Sequence, residues 1–306
     1  MYRNAVIAAE LLMPIWSSGE ASRKLTIMTL WLFALLLWLG SLTAGFLGAM
    51  TGLGGGVILI PLLTLVFRVD FRYAVGAGLI SIMAVSAGSA AAYLRRGLVN
   101  LRIGMGLELL TAVGALLGAY IAPFIATSQL AVVFGTVLLV TVYLTSRGHN
   151  EGNSHHGERT PSWIDRLCLS SNYQEDGCEI PYHPQRPVLS GTVMLGAGVI
   201  SGLLGIGAGA FKVLSMDHIM RLPFKVSTTT SNFMMGVTAA ASAGIYLGRG
   251  YIDPGIALPV FLGTLPGALL GSRVLARADV KPLRVVFAVL VTVVAVRMIW
   301  GGLAGG

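Results

Sequence analysis

A glycine-rich apolar stretch that occurs twice, in one register, constrains this chain more than any other feature. Gly45 to Pro61 reads GFLGAMTGLGGGVILIP, and Gly198 to Leu214 reads GVISGLLGIGAGAFKVL. Gly45, Gly52, Gly54 and Gly56 correspond to Gly198, Gly205, Gly207 and Gly209, each displaced by 153 positions. The register continues without a gap through Arg68 and Arg221, Phe71 and Phe224, Ser89 and Ser242, Tyr93-Leu94 and Tyr246-Leu247, and Arg96-Gly97 and Arg249-Gly250. It reaches two GALLG runs, Gly114 to Gly118 and Gly267 to Gly271. Composition alone does not produce an ungapped match of this length, so the chain reads as two copies of one unit.

The solvent for those copies is lipid. Only 11% of the 306 residues are charged and 55% are hydrophobic, against about 25% charged in soluble domains. Nearly uncharged apolar segments of about 18 residues or more recur, which is the signature of bilayer-spanning helices. They run approximately over 25–49, 50–67, 75–94, 103–126 and 128–146, then 188–206, 207–220, 226–247, 254–276 and 282–303. The second segment of each half is short and entered through glycines, so the expectation is eight to ten crossings. The predicted fold is therefore an all-α polytopic membrane protein of two homologous, inverted repeats, each of four to five helical segments with glycine-broken helices. Its parts are an N-terminal interfacial segment at 1–24, repeat 1 at 25–146, a polar loop at 147–187 and repeat 2 at 188–303.

The net charge of +8 does not indicate nucleic acid, because the basic residues sit singly or in pairs between apolar segments, as juxtamembrane arginines do. With ten crossings and the N-terminus outside, thirteen Lys and Arg fall on the side of the polar loop and six on the other. That asymmetry places the loop in the cytoplasm. Both cysteines, Cys168 and Cys178, lie in this loop and read as ordinary thiols, with a disulfide as the alternative. His155-His156 in the same loop is a weak metal pair, and no metal or cofactor site is expected.

Three features carry candidate chemistry. The first is the glycine cluster Gly52, Gly54, Gly55 and Gly56 with its echo Gly205, Gly207 and Gly209. Glycine costs about 1 kcal/mol relative to alanine inside a helix, so three together mark a break. A break in hydrocarbon is tolerated only when buried or facing an aqueous cavity. Paired breaks in two repeats point to a transporter's central site, where restarting helices present N–H groups to an anion. Close helix packing through small residues explains the same glycines equally well, and it is the favoured reading for the GALLG pairs.

The second feature is the run Ser227, Thr228, Thr229, Thr230, Ser231 and Asn232, whose equivalent in the first half, Ala74 to Leu79, is nearly bare of polar groups. Hydroxyls and an amide here could ligate an oxyanion, which makes Thr228 to Asn232 candidates for substrate binding; capping and back-bonding explain two or three of these residues and leave Asn232 unexplained. The third is a pair of intramembrane charges. Lys212 is a candidate for attracting an anion and Glu108 for carrying a coupling proton. Their alternatives are snorkelling to an interface or pairing with each other.

Gly205-Ile-Gly207-Ala-Gly209-Ala210 satisfies a dinucleotide fingerprint literally, but that fold needs a preceding strand and an acid about 20 residues on in a soluble unit. No catalytic triad or metalloprotease pattern is present, so no enzyme activity is expected.

On GAMTGLGGGVILIP, GLLGIGAGAFKVL, LPFKVSTTTSNFMMGVTAAASAGIYLGRGYIDP and the GALLG pairs, the chain resembles the TauE/SafE family of sulfite and organosulfonate exporters over roughly residues 40–303. The resemblance implies a bacterial inner-membrane carrier of small sulfur-containing anions. Family members often carry a Thr-Ser or Asn-containing stretch in the first half where this chain has Gly76-Ala-Gly78, so the ligand chemistry is expected to be asymmetric. The expected function is secondary transport of a small anion between the repeats. A membrane scaffold or chaperone and a passive anion channel are the alternatives. The expected partners are that anion, the bilayer and a coupling proton, with a homo-oligomer left open.

Overall fold

The computed structural model describes residues 19–94, 101–146, 171–175, 178–182, 187–222, 224–275 and 281–304. Ten α-helices make up almost all of them. The first half contains α1 (Gly19–Thr51), α2 (Gly56–Pro61) running on into a π-turn (Leu62–Val66), α3 (Phe71–Leu94), α4 (Leu101–Ile121) and, after a 3-10 turn, α5 (Thr127–Ser146). The second half contains α6 (Pro187–Leu204), α7 (Gly209–Leu214) with its π-turn (Ser215–Ile219), α8 (Phe224–Gly248), α9 (Pro254–Leu275) and α10 (Lys281–Ala304). Between them a short antiparallel hairpin pairs β1 (Ser171–Glu175) with β2 (Cys178–Tyr182). Cys178 opens β2; Cys168, His155 and His156 lie outside the described residues, as do the first 18 positions.

The helices that begin at Gly56, Phe71 and Leu101 have counterparts beginning at Gly209, Phe224 and Pro254, each 153 residues later. The agreement extends to irregular backbone. Two residues beyond each π-turn stands an arginine with positive φ, Arg68 at 52° and Arg221 at 54°. In each, a wide i→i−5 bond closes the turn, from Phe67 N–H to Leu62 O at 3.3 Å and from Met220 N–H to Ser215 O at 3.1 Å.

Helix directions follow from which residues approach. A Cβ at Gly40 would meet Leu62 and one at Gly48 would meet Gly54 and Gly55, so α2 returns antiparallel along α1. Likewise Ser190 on α6 bonds Ser215 after α7 at 2.8 Å. The two short segments are thus the return arms of hairpins. Helix α3 has Gly76 against Tyr251 and Ser86 against Gly236, which sets it antiparallel to α8. Helix α4 runs parallel to α8, with Gly104 by Thr230 and Glu108 by Thr238.

Five described helices are long and apolar enough to cross a membrane: Trp31–Thr51, Phe71–Ala90, Leu101–Phe124, Pro187–Leu204 and Pro254–Val274. Large apolar side chains such as Leu109, Leu117, Val237, Leu258 and Val293 point outward from the bundle, as they do where the surroundings are lipid. The chain is a multi-pass α-helical membrane protein.

Helix contacts rest on small residues, as expected of the GALLG runs. A Cβ at Gly114 or Gly118 would collide with the carbonyl oxygens of Leu195 and Val199 on α6. At the matching interface, Gly267 and Gly271 face the carbonyls of Leu42 and Phe46 on α1. In lipid no hydrophobic effect pulls helices together, so such close backbone approach supplies the packing energy. Gly118→Ala is expected to separate α4 from α6 and cost about 1–3 kcal/mol, read as a lowered melting temperature in detergent. Ala at Gly106, whose Cβ would meet nothing within 4 Å, is the silent control.

Candidate functional site

The two glycine clusters form the tips of the two hairpins. Gly52 (φ 74°), Gly54 (81°), Gly205 (66°) and Gly207 (72°) all occupy the left-handed region, which a side chain at Cβ disfavours by roughly 1–2 kcal/mol per residue. This is how each chain reverses within four residues. Gly55 and Gly56 serve another purpose. A Cβ at Gly55 would strike the Ser81 hydroxyl, and one at Gly56 would lie 2.8 Å from Gly205 O. Ala208, the counterpart of Gly55, takes the left-handed conformation itself, at φ 52°.

The tips meet each other. A Cβ at Gly209 would lie 2.5 Å from Gly52 O, which mirrors the approach of Gly56 to Gly205 O. Ile82 on α3 and Met235 on α8 each touch both Gly54 and Gly207, at 3.1–3.3 Å from the positions their Cβ atoms would take. Both are fully buried. The sequence-predicted glycines therefore converge on one place at the centre of the bundle.

All six residues of the polar run are buried. Capping does not account for them, because α8 already begins at Phe224. Back-bonding does account for Thr229, and Ser227 Oγ lies 3.5 Å from Leu222 O just before the helix, while Ser231 and Asn232 reach other elements. Asn232 donates Nδ2–H to Ala49 O at 3.2 Å, near the end of α1. Ser231 donates to Gly209 O at 3.2 Å, and Thr229 to Val226 O at 3.2 Å. Thr228 packs its methyl on Gly52, where the counterpart contact at Gly205 is made by Val75. Two oxygens of this face, Thr228 Oγ1 and Asn232 Oδ1, have no hydrogen-bond partner despite burial, and neither has Ser81 Oγ beside Gly55. Orphaned buried polar atoms are uncommon because each forfeits about 1–3 kcal/mol. Three around one tip mark a place suited to a polar guest.

Lys212 and Glu108 are brought together, one turn from the Gly209 tip. Lys212 Nζ lies 2.7 Å from Glu108 Oε2, with the lysine side chain fully buried and the glutamate nearly so. The Thr238 hydroxyl donates to Glu108 Oε1 and accepts from Lys212 Nζ. Neither charge snorkels. Thr238 was not among the residues singled out from the sequence, although it lies seven positions, two helical turns, beyond Ser231 on the same face of α8. In the first half the positions 153 residues away are Leu59, Val85 and, for Glu108, Phe261 in the second half. The repeat thus sets polar side chains against apolar ones at these three positions, of which Leu59 and Val85 are buried and Phe261 is exposed. No group of three or more metal-ligating side chains occurs among the described residues.

Comparison with known proteins decides the family. The model of the sulfite exporter TauE/SafE family matches residues 37–298. The chain belongs to the TauE/SafE family. It is 23% identical over 281 residues to the probable membrane transporter protein YunE of Bacillus subtilis (strain 168), covering 89% of this chain and 98% of that one. To the probable membrane transporter protein YdhB of the same organism it is 26% identical over 243 residues, 79% of this chain and 89% of the other. A probable membrane transporter protein of Xylella fastidiosa (strain 9a5c) is 25% identical over 259 residues, 84% and 91% respectively. No solved structure matches.

Removing one partner of a buried ion pair typically costs about 3–5 kcal/mol, whereas an apolar replacement of both is often neutral or stabilising. Lys212→Leu is therefore expected to lower stability by several kcal/mol. Adding Glu108→Leu is expected to recover most of that loss. Thermal unfolding of the two variants in detergent checks this, and a double variant no better than the single one would count against it.

Proposed function

We propose that this TauE/SafE member is a secondary transporter that exports a small anion, in the sulfur oxyanion or organosulfonate class, across the bacterial inner membrane. The membrane-transporter class is supported by the family and by the names of relatives aligned over most of their length. The observation that carries the mechanism is the meeting of two glycine-tipped hairpins, with three buried oxygens without partners beside the Gly52–Gly56 tip. Broken helices that meet near mid-bundle between repeats are the recurrent substrate site of secondary transporters.

The offset of 153 residues and the antiparallel course of α3 and α8 support inverted repeats. Alternating access then follows from one half moving against the other around the tips. The Lys and Arg asymmetry favours a cytoplasmic 147–187 loop. In this reading Gly52, Gly54, Gly55, Gly56, Gly205, Gly207 and Gly209 give the substrate close access to backbone. The hydroxyls and amide from Thr228 to Asn232 supply directional contacts, and the hydrogen bonds of Ser231 and Asn232 hold the tips in place.

The test is flux of sulfite, sulfate, thiosulfate and ethanesulfonate in proteoliposomes, with Thr228→Val as the diagnostic variant. Valine keeps the methyl on Gly52 and removes a hydroxyl that has no internal partner, so stability is expected to hold or rise. Loss of one substrate hydrogen bond, about 1.4 kcal/mol, raises KM about tenfold. Gly209→Leu, whose Cβ would lie 2.5 Å from Gly52 O and so forces the tips apart, is expected to stop flux in protein shown to be folded. Movement of none of the four anions by folded protein would favour a scaffold. Flux that never runs against a gradient under an imposed pH difference would favour a passive channel.

A further inference from the structure

Resting on that reading, we propose that the Glu108 carboxylate is an internal stand-in for the substrate. It occupies Lys212 and Thr238 until a monovalent oxyanion takes its place, and it then leaves as the neutral acid, so one proton travels with each such anion. The geometry is specific. One carboxylate oxygen lies 2.7 Å from the ammonium and the other accepts the Thr238 hydroxyl, while that hydroxyl also accepts from the ammonium. Two oxygens on one acid centre, spaced as in a sulfonate or sulfite, satisfy the same two donors. The cradle is therefore already shaped for the oxyanion class.

Stability does not explain why the triad is kept. The positions related by 153 residues hold Leu59, Val85 and Phe261, and Leu59 and Val85 are fully buried there. Phe261 is exposed, and replacing a buried ion pair by packed apolar side chains is often neutral or stabilising, which leaves room for a role other than stability. The triad sits beside the tips, since Lys212 lies three residues after Gly209, and Thr238 one turn after Met235, which packs on that glycine.

The exchange balances. An anion A⁻ meeting Lys-NH3⁺···⁻OOC-Glu gains the ammonium and the hydroxyl as partners. The released carboxylate, in a medium that penalises lone charge, takes a proton from the aqueous side then open and becomes COOH. The total charge of the site is unchanged. Among the described residues few other charges face the pair. Helix α6, packed on α4, contains no ionisable residue, and α8 contributes the Thr238 hydroxyl, with Tyr246 OH directed to the carbonyls of Gly202 and Leu203. The π-turn after α7 carries Asp217 and His218, whose side chains lie 3.4 Å apart, and Arg102 on α4 is exposed.

The experiment uses the full chain in nanodiscs with ethanesulfonate, which stays fully ionised, and with sulfite. Anion binding in weak buffer with a pH indicator is expected to take up one proton per ethanesulfonate bound. Glu108→Gln is expected to bind without proton uptake, and the anion is expected to raise its melting temperature more than that of the parent, because the anion now supplies the missing counter-charge. In proteoliposomes that variant moves anion without responding to a pH gradient. If Glu108→Gln does not fold, the infrared difference spectrum of the unaltered protein decides, through the appearance of a protonated-carboxyl band on adding anion. Binding without proton uptake or without that band overturns the exchange and leaves the transporter reading standing. Uptake that persists in Glu108→Gln does the same. Absence of both binding and flux for every anion overturns both.

Discussion

In this protein the backbone carbonyls of two hairpin tips lie so close to the opposite tip that no side chain fits between them. Gly52 O faces Gly209, and Gly205 O faces Gly56. Everything else is arranged to make that approach affordable in a medium without water to satisfy peptide groups. Left-handed glycines turn the chain, Asn232 and Ser231 donate to carbonyls on α1 and α7 that frame the tips, and Ile82 and Met235 fill the space beside them. The long helices outside act as a rigid frame, locked by the glycine faces of α1 with α9 and of α4 with α6.

Much of this was legible in the sequence because glycine spacing and polar residues in lipid are rare enough to carry information. The breaks at the glycine clusters and the helix-packing role of the GALLG runs follow from patterns a reader can find unaided. The asymmetry between the halves was legible too, since Ala74 to Leu79 has almost nothing polar to set against the second-half run.

Other features left fainter signals. Thr238 is an isolated threonine in a helix of small residues, and nothing local distinguishes it from one bonded to its own preceding turn. Its importance comes from α4, which brings Glu108 across from 130 positions away. The partnership of Lys212 with Glu108 stood among the alternatives, but spacing could not select it, because the two belong to different repeats. The π-turns were invisible as such. Arg68 and Arg221 matched in the repeat, yet an arginine is not the residue by which one expects to recognise a left-handed position.

The triad also constrains the protein's history. If the halves descend from one duplicated unit, Lys212, Thr238 and Glu108 record a divergence from Leu59, Val85 and Phe261 at three positions. A lone lysine or a lone glutamate at such a site is heavily penalised, so these substitutions are strongly non-additive. The hydroxyl of Thr238 is the member most readily present by itself, since it can bond back to Met234 O, 3.5 Å away, within its own helix. Passable mutational routes between the apolar and polar versions are therefore few and ordered. Among relatives, Lys212 and Glu108 should be gained or lost as a pair, while threonine at 238 should outlive them.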